Sequence, residues 1–353
     1  GLGNDTITID GTGNKTIDGG SGTDSLTISV SGISSLGDYT ESVNGLYTVL
    51  TDSNSNVIQF KNIENLTVGD YAYTNNTSDD TFWNASEYAL YMYDGGNTSS
   101  DSITDLSGFS SSSNLSVVGS GSADSMNLNI DRSSDFTGNL TLSMGDGADS
   151  FYSSKFKNGD SVDMGAGDDT VSVMVGGGSG TPAFASLNMT KLDGGAGTDK
   201  LSFEESTTGG AELSLSLGGA VNFENLSGTS ASETLRGDSG NNTLYGYRGA
   251  DTIYGGAGND KLASSDHLNG QDVGDETTND NLYGEAGDDV LYGTDGDNIL
   301  DGGTGSDYIY SGDGVDTFVL RSGSGGSTVS DADFFYDFTD GTDVIGLDDG
   351  LEY

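Results

Sequence analysis

Between residues 237 and 319 a large apolar side chain recurs at nine-residue intervals in a background rich in Gly and Asp. The units read GDSGNNTLY (237–245), GYRGADTIY (246–254) and GGAGNDKLA (255–263). After an interruption come GEAGDDVLY (284–292), GTDGDNILD (293–301), GGTGSDYIY (302–310) and SGDGVDTFV (311–319). The shared template is G-x-x-G-x-[DN]-x-U-x, with U large and apolar. Its last three residues alternate about U, which predicts a minimal strand with one inward side chain. Gly at positions one and four permits positive φ and close backbone approach, so the first six residues predict a tight turn. Turn and strand, taken twice, make one coil. Leu244, Ile253, Leu262, Leu291, Leu300, Ile309 and Phe318 then fill a thin core, and the turns stack in two columns.

Looser copies precede this tract: GLGNDTI (1–7), GGSGTDSL (19–26), GSGSADSM (119–126), GDGADSF (145–151), GAGDDTV (165–171) and GGAGTDKL (194–201). Between them run alternating stretches such as Leu26–Val30, Leu46–Phe60, Leu140–Met144 and Leu213–Leu217, which read as strands of a wider solenoid. A larger module recurs. DGGSGTDSL (18–26) leads to NIENL (62–66), and DGGAGTDKL (193–201) leads to NFENL (222–226).

Composition sharpens the picture. Hydrophobic residues make up 32% of the 353, too few for one large core but enough for a solenoid. The net charge is −45, and of 56 acidic residues only 11 are Glu, leaving 45 Asp. Asp suits tight turns, where its short arm reaches backbone or an ion. A compact fold this acidic repels itself without counter-ions. A nucleic-acid partner is excluded, since it needs a basic surface, and no apolar run is long enough for membrane insertion. There is no cysteine and one histidine, His267, so neither disulfides nor thiolate zinc sites are available. Stacked turns that offer Asp carboxylates and backbone carbonyls form a flexible oxygen cage, which suits Ca²⁺.

The nonapeptide resembles the RTX family, the haemolysin-type calcium-binding repeats. The resemblance implies an all-β fold, a right-handed parallel β-solenoid (RTX β-roll) with calcium-binding turns, in which multiple Ca²⁺ ions bridge turns two repeats apart. Carried over to this chain, the ligands at position six would be Asp251, Asp260, Asp280, Asp289, Asp307 and Asp316. Asn242 and Asn298 hold the same place and imply weaker or empty sites. In the looser copies the equivalents are Asp5, Asp24, Asp124, Asp149, Asp169 and Asp199, whereas Lys15 and Glu233 mark lost or weakened sites. The alternation of calcium turns with long coils is similar to bacterial S-layer proteins and large RTX adhesins. DADFFYDFTDGTDVIGL (331–347) resembles the block that follows RTX repeats and reads as a cap. The organisation expected is a wide solenoid over 1–226, a dense β-roll over 227–319 and a cap over 320–353.

Two features stand apart. Tyr71–Tyr93 holds seven aromatics including the single Trp83, either local core or a contact patch for self-association into a surface layer. Tyr245, Tyr254, Tyr283, Tyr292 and Tyr310 hold or match position nine and are expected to point outward as ladders, with a sugar-binding strip as the lesser alternative. Catalytic signatures are missing: one histidine permits no HExxH motif, and no GxSxG elbow occurs. The expectation is a calcium-binding structural protein without enzymatic activity, secreted to a bacterial cell surface by type I secretion. The alternatives are an adhesin or secretion module of a larger exoprotein, and a polysaccharide-acting enzyme on a β-helix.

Overall fold

The computed structural model describes residues 1–33, 38–44, 47–63, 65–68, 71–76, 81–84, 89–92, 101–103, 114–119, 121, 123–128, 138–153, 156–174, 189–204, 210–265, 278–321 and 332–347. Among them no α-helix occurs. The chain divides into two units, one of residues 1–170 with 189–197, the other of residues 171–188 with 198–353.

In the second unit the strands alternate between two parallel sheets. One runs Lys200–Glu204, Asn225–Ser227, Thr243–Tyr245, Lys261–Ala263, Val290–Tyr292, Tyr308–Tyr310 and Phe334–Tyr336. The other runs Glu212–Ser214, Thr234–Arg236, Thr252–Ala257, Asn281–Ala286, Ile299–Asp301, Thr317–Leu320 and Val344–Leu347. Within the two dense runs, 234–263 and 281–319, successive three-residue strand segments are spaced by six-residue turns, so each coil there is two repeats, as the nonapeptide predicts. The register places position eight above position eight: Leu226, Leu244, Leu262, Leu291 and Ile309 in one column, and Leu235, Ile253, Leu282, Leu300 and Phe318 in the other. All ten are buried. The block after the repeats forms one more coil, with Phe334–Tyr336 and Val344–Leu347 pairing parallel to the last repeat strands. Phe335 and Phe338 pack on Phe318 at 4.9 and 5.6 Å between ring centres, closing the core from that side.

The first unit is also built on parallel coils: Thr6–Ile9, Ser25–Ile28 and Asn65–Val68 pair in register, as do Leu115–Val118, Leu140–Ser143, Ser161–Asp163 and Lys191–Asp193. The recurring module proves to be one coil return. Leu26 lies beside Leu66 in the first unit, and Leu201 beside Leu226 in the second. A uniformly parallel solenoid is not found, however. Tyr71–Asn76, Thr81–Asn84 and Ala89–Met92 form an antiparallel meander between parallel strands. Tyr39–Asn44, Tyr47–Asp52 and Val57–Lys61 form another beside Lys15–Asp18. Short connections explain both, because only antiparallel neighbours can be joined by a tight hairpin. The contact patch expected at Tyr71–Tyr93 concerns side chains outside the described residues, as does His267.

The turn geometry corrects one expectation. Positive φ falls at positions two and four, as at Gly256 (111°) and Gly258 (112°), not at position one. Three non-glycine residues hold the left-handed conformation at position two: Tyr247 (76°), Glu285 (73°) and Thr294 (60°). Left-handed backbone costs an L-residue about 1–2 kcal/mol. Glu285→Gly is therefore expected to raise thermal stability by about 1 kcal/mol, read as an upward shift in Tm at fixed calcium.

Candidate metal centres

Position six sits where turn becomes strand, and its backbone N–H points along the stack before strand pairing has begun. A buried N–H must find an acceptor. The next coil supplies it: along the columns a side-chain oxygen of a position-six residue, usually Oδ1, accepts from the position-six N–H of the coil before. One column of the second unit runs Glu233 to Asp251 (2.7 Å), Asp251 to Asp280 (2.6 Å), Asp280 to Asn298 (2.9 Å), Asn298 to Asp316 (2.9 Å) and Asp316 to Asp343 (3.1 Å). The other runs Asn242 to Asp260 (2.8 Å), Asp260 to Asp289 (2.7 Å), Asp289 to Asp307 (2.9 Å) and Asp307 to Asp333 (3.2 Å). Also in this unit the Asp199 N–H donates to Glu224 at 2.8 Å. In the first unit Asp124 donates to Asp149 and Asp149 to Asp169, each at 2.7 Å, and Asp5 donates to Asp24 at 2.7 Å.

The structure thus places the position-six residues expected from the sequence in these columns, and of those all but Asp5 are buried, while Glu224, Asp333 and Asp343 are half-buried. Asp5 is about half exposed, at 45% of its side chain. Sequence reasoning missed Asp160, Glu224, Asp333 and Asp343, which make the same contact. Each precedes a strand in the pattern acid-x-U (Asp160-Ser161-Val162, Asp343-Val344-Ile345), a signal that survives where the glycines do not.

With Oδ1 used, the second oxygen decides the chemistry. Oδ2 of Asp149, Asp260, Asp289 and Asp307 is buried with no hydrogen-bond partner among the described residues. A carboxylate in that position is costly without compensation. Burial pushes Asp149, Asp289 and Asp307 up to about 7, and Asp260 and Asp316 up to about 6. Position-one glycine leaves room at this oxygen: in the second unit a Cβ on Gly255, Gly284 or Gly302 would land on Oδ2 of Asp260, Asp289 or Asp307. Carbonyl oxygens of the neighbouring coil, Gly284 for Gly255 and Gly302 for Gly284, border the same space. The oxygens of each column are thus one side-chain carboxylate or amide oxygen per turn plus backbone carbonyls. No group of three acidic or histidine side chains gathers at one point among the described residues, so carbonyls must supply much of any coordination shell. Oxygen donors of this mixture fit Ca²⁺.

Four of the five expected position-nine rings stack, whereas Tyr245 lies between Ser227 and Ala263 in its column. Tyr254 and Tyr283 lie 4.9 Å apart, Tyr292 and Tyr310 4.9 Å, and Tyr310 and Tyr336 4.5 Å, each within 12° of parallel. The Tyr254–Tyr283 pair belongs to one sheet and the Tyr292–Tyr310–Tyr336 stack to the other, and Arg236 covers Tyr254, 4.1 Å from its ring centre. Rings stacked this way cover one another's faces, which is the cross-strand pairing expected of a ladder. A sugar strip would need those faces open.

If the orphaned oxygens are ligands, then Asp260→Ala and Asp307→Ala each raise the calcium concentration at half-folding several-fold. Circular dichroism during a calcium titration measures this, and unchanged midpoints in both variants would remove these residues from the ligand set.

The family model of the RTX calcium-binding nonapeptide repeat matches residues 227–262, 276–309 and 292–325, in four copies. No curated protein matches the chain. The matched tracts fall within the two aspartate columns of the second unit, so residues 227–262 and 276–325 carry RTX calcium-binding nonapeptide repeats, whose turns bind Ca²⁺.

Proposed function

We propose that this chain is an extracellular structural protein of a bacterial surface layer or matrix, which folds and assembles when it meets calcium outside the cell. The observation that carries the reading is the buried, unpartnered second oxygen of Asp260, Asp289 and Asp307, stacked in one column. Without a cation this column opposes its own burial; with one, folding and binding become a single event. Extracellular calcium modules bind at about 10⁻⁴–10⁻³ M, above cytosolic calcium and near external levels. The chain would then stay extended for export and fold on arrival. The proposed ligands are the position-six aspartates with an open second oxygen. The long-coil first unit favours a structural role over a bare secretion tail. An adhesin or secretion module of a larger exoprotein is the second reading, and the dense repeats matched by the family model favour it equally. No helix among the described residues is long and apolar enough to cross a membrane.

A calcium titration followed by circular dichroism and light scattering together separates the two. β-signal followed by growth into large ordered particles supports the surface layer. β-signal with monomeric scattering supports the module. A chain folded in excess chelator would remove calcium-driven folding altogether.

A further inference from the structure

Turns in the same columns differ in what faces position six from within the turn. Around Asn298 the left-handed Thr294 holds its turn in the same form as Glu285 and Gly303 hold theirs. There the Asn298 Nδ2 donates to the carbonyls of Gly293 (3.0 Å), Thr294 (3.4 Å) and Gly296 (3.1 Å). These are positions one, two and four of its own turn. An amide NH₂ thus sits where Asp260, Asp289 and Asp307 carry an orphaned oxygen, and it carries the positive end of a dipole. Lys15 does the same with a full charge in the first unit, its ammonium donating to the carbonyls of Thr12 (3.0 Å) and Gly13 (3.1 Å). Both contacts mark the turn carbonyls as a place that seeks a positive group.

Other turns are closed by backbone. The Asp238 N–H donates to Oδ1 of Asn242 at 2.8 Å, the Thr229 N–H to Oε2 of Glu233 at 3.2 Å, and the Thr339 N–H to Oδ2 of Asp343 at 2.6 Å. Asp238, Thr229 and Thr339 all stand at position two, and none has positive φ. By contrast, position two is left-handed in the turns that end at Asp149 (Gly145), Asp260 (Gly256), Asp289 (Glu285) and Asp307 (Gly303). Reversing the hand of position two turns its peptide over. A second residue without positive φ aims its N–H at position six in these three turns, and a left-handed one does not.

We propose that the hand of the second turn residue, with the chemistry of the sixth, decides which turns take a calcium ion and which fill that place with a donor of their own. A left-handed second residue before Asp makes an open turn that takes Ca²⁺. A second residue with negative φ that donates its N–H to position six, or Asn298 or Lys15 at position six, makes a sealed turn that holds its shape without metal. The proposal rests on the calcium reading above and refines it. It distributes ions unevenly: Asp260, Asp289 and Asp307 form an unbroken open run in one column, while Glu233, Asn298 and Asp343 interrupt or end the other.

The test counts calcium bound per folded chain, by equilibrium dialysis with atomic absorption, on Asn298→Asp, Asn242→Asp and Asp307→Asn. Circular dichroism at saturating calcium confirms folding. Asn298→Asp should gain one ion, because Thr294 is already left-handed. Asn242→Asp should gain none, because the Asp238 N–H still caps it. Asp307→Asn should lose one ion yet stay folded, its amide meeting the turn carbonyls as Asn298 does. A gain in both Asn→Asp variants, or in neither, overturns the rule, as does an Asp307→Asn chain that no longer folds. A parent chain that binds no calcium fails differently: it removes the calcium reading itself, which these three comparisons do not test.

Discussion

In excess chelator, the backbone amides of the strands from Thr243 to Leu320 lose their protection against hydrogen exchange, and restoring millimolar calcium brings it back. Two terms set the size of the effect. An ion held at tenfold its dissociation constant stabilises the folded state by about 1.4 kcal/mol, so five independent ions contribute about 7 kcal/mol. That is comparable to the whole stability of an ordinary domain. The second term is the apo penalty. Asp260, Asp289 and Asp307 stack as buried carboxylates, with like charge from Asp260 and Asp307 acting on Asp289. The thin core, one apolar side chain per repeat, offers little to offset this. Exchange measured by mass spectrometry resolves the tract peptide by peptide. Equal protection with and without calcium would mean that the core alone holds the roll.

Gly287→Ala is expected to abolish folding of the dense tract even at saturating calcium. Gly287 is at position four with φ of 139°, a conformation L-residues rarely adopt. Its pro-Cβ position also coincides with the carbonyl oxygen of Gly258 in the coil before. That oxygen belongs to backbone, so it cannot swing aside without breaking the register of both coils. The Gly287 N–H pairs forward with Thr304 O at 2.9 Å, so the disturbance spreads to the next coil as well. Gly258, Gly305 and Gly314 repeat the arrangement, each against the coil before it. A folded Gly287→Ala chain, seen as an unchanged calcium-induced β-signal, would mean that the coils are packed more loosely than this contact requires.

Much of the second unit was legible because each of its rules has one residue per repeat. Position eight had to be apolar, and Leu244, Leu262 and Leu291 proved to be one buried column. Position six had to be a short acceptor, and its role in pairing the next N–H follows from the same geometry. The handedness at position two was not legible, because Tyr247, Glu285 and Thr294 adopt a glycine conformation under the constraint of neighbouring coils. Sequence alone also assigned positive φ to the position-one glycines, whose real requirement is space beside Oδ2. In the first unit the repeats thin out, and longer connections leave pairing undetermined. The meander at residues 71–92 carries strand-forming residues that fit parallel or antiparallel neighbours equally well. Asp333 and Asp343 were hidden inside a block that read as an apolar cap, which it also is. Asp160 was hidden because its turn lacks the glycine spacing; there the second oxygen accepts from the Lys157 N–H at 2.8 Å, which places it among the sealed turns.

The most direct measurement is an anomalous difference map from crystals grown in calcium, collected at a wavelength where calcium scatters anomalously. Peaks against Oδ2 of Asp260, Asp289 and Asp307, with none in the turn closed by Asn298, are the result predicted here. Peaks confined to exposed carboxylates, or columns without peaks in a folded crystal, would contradict the claim that the buried aspartates hold the ions.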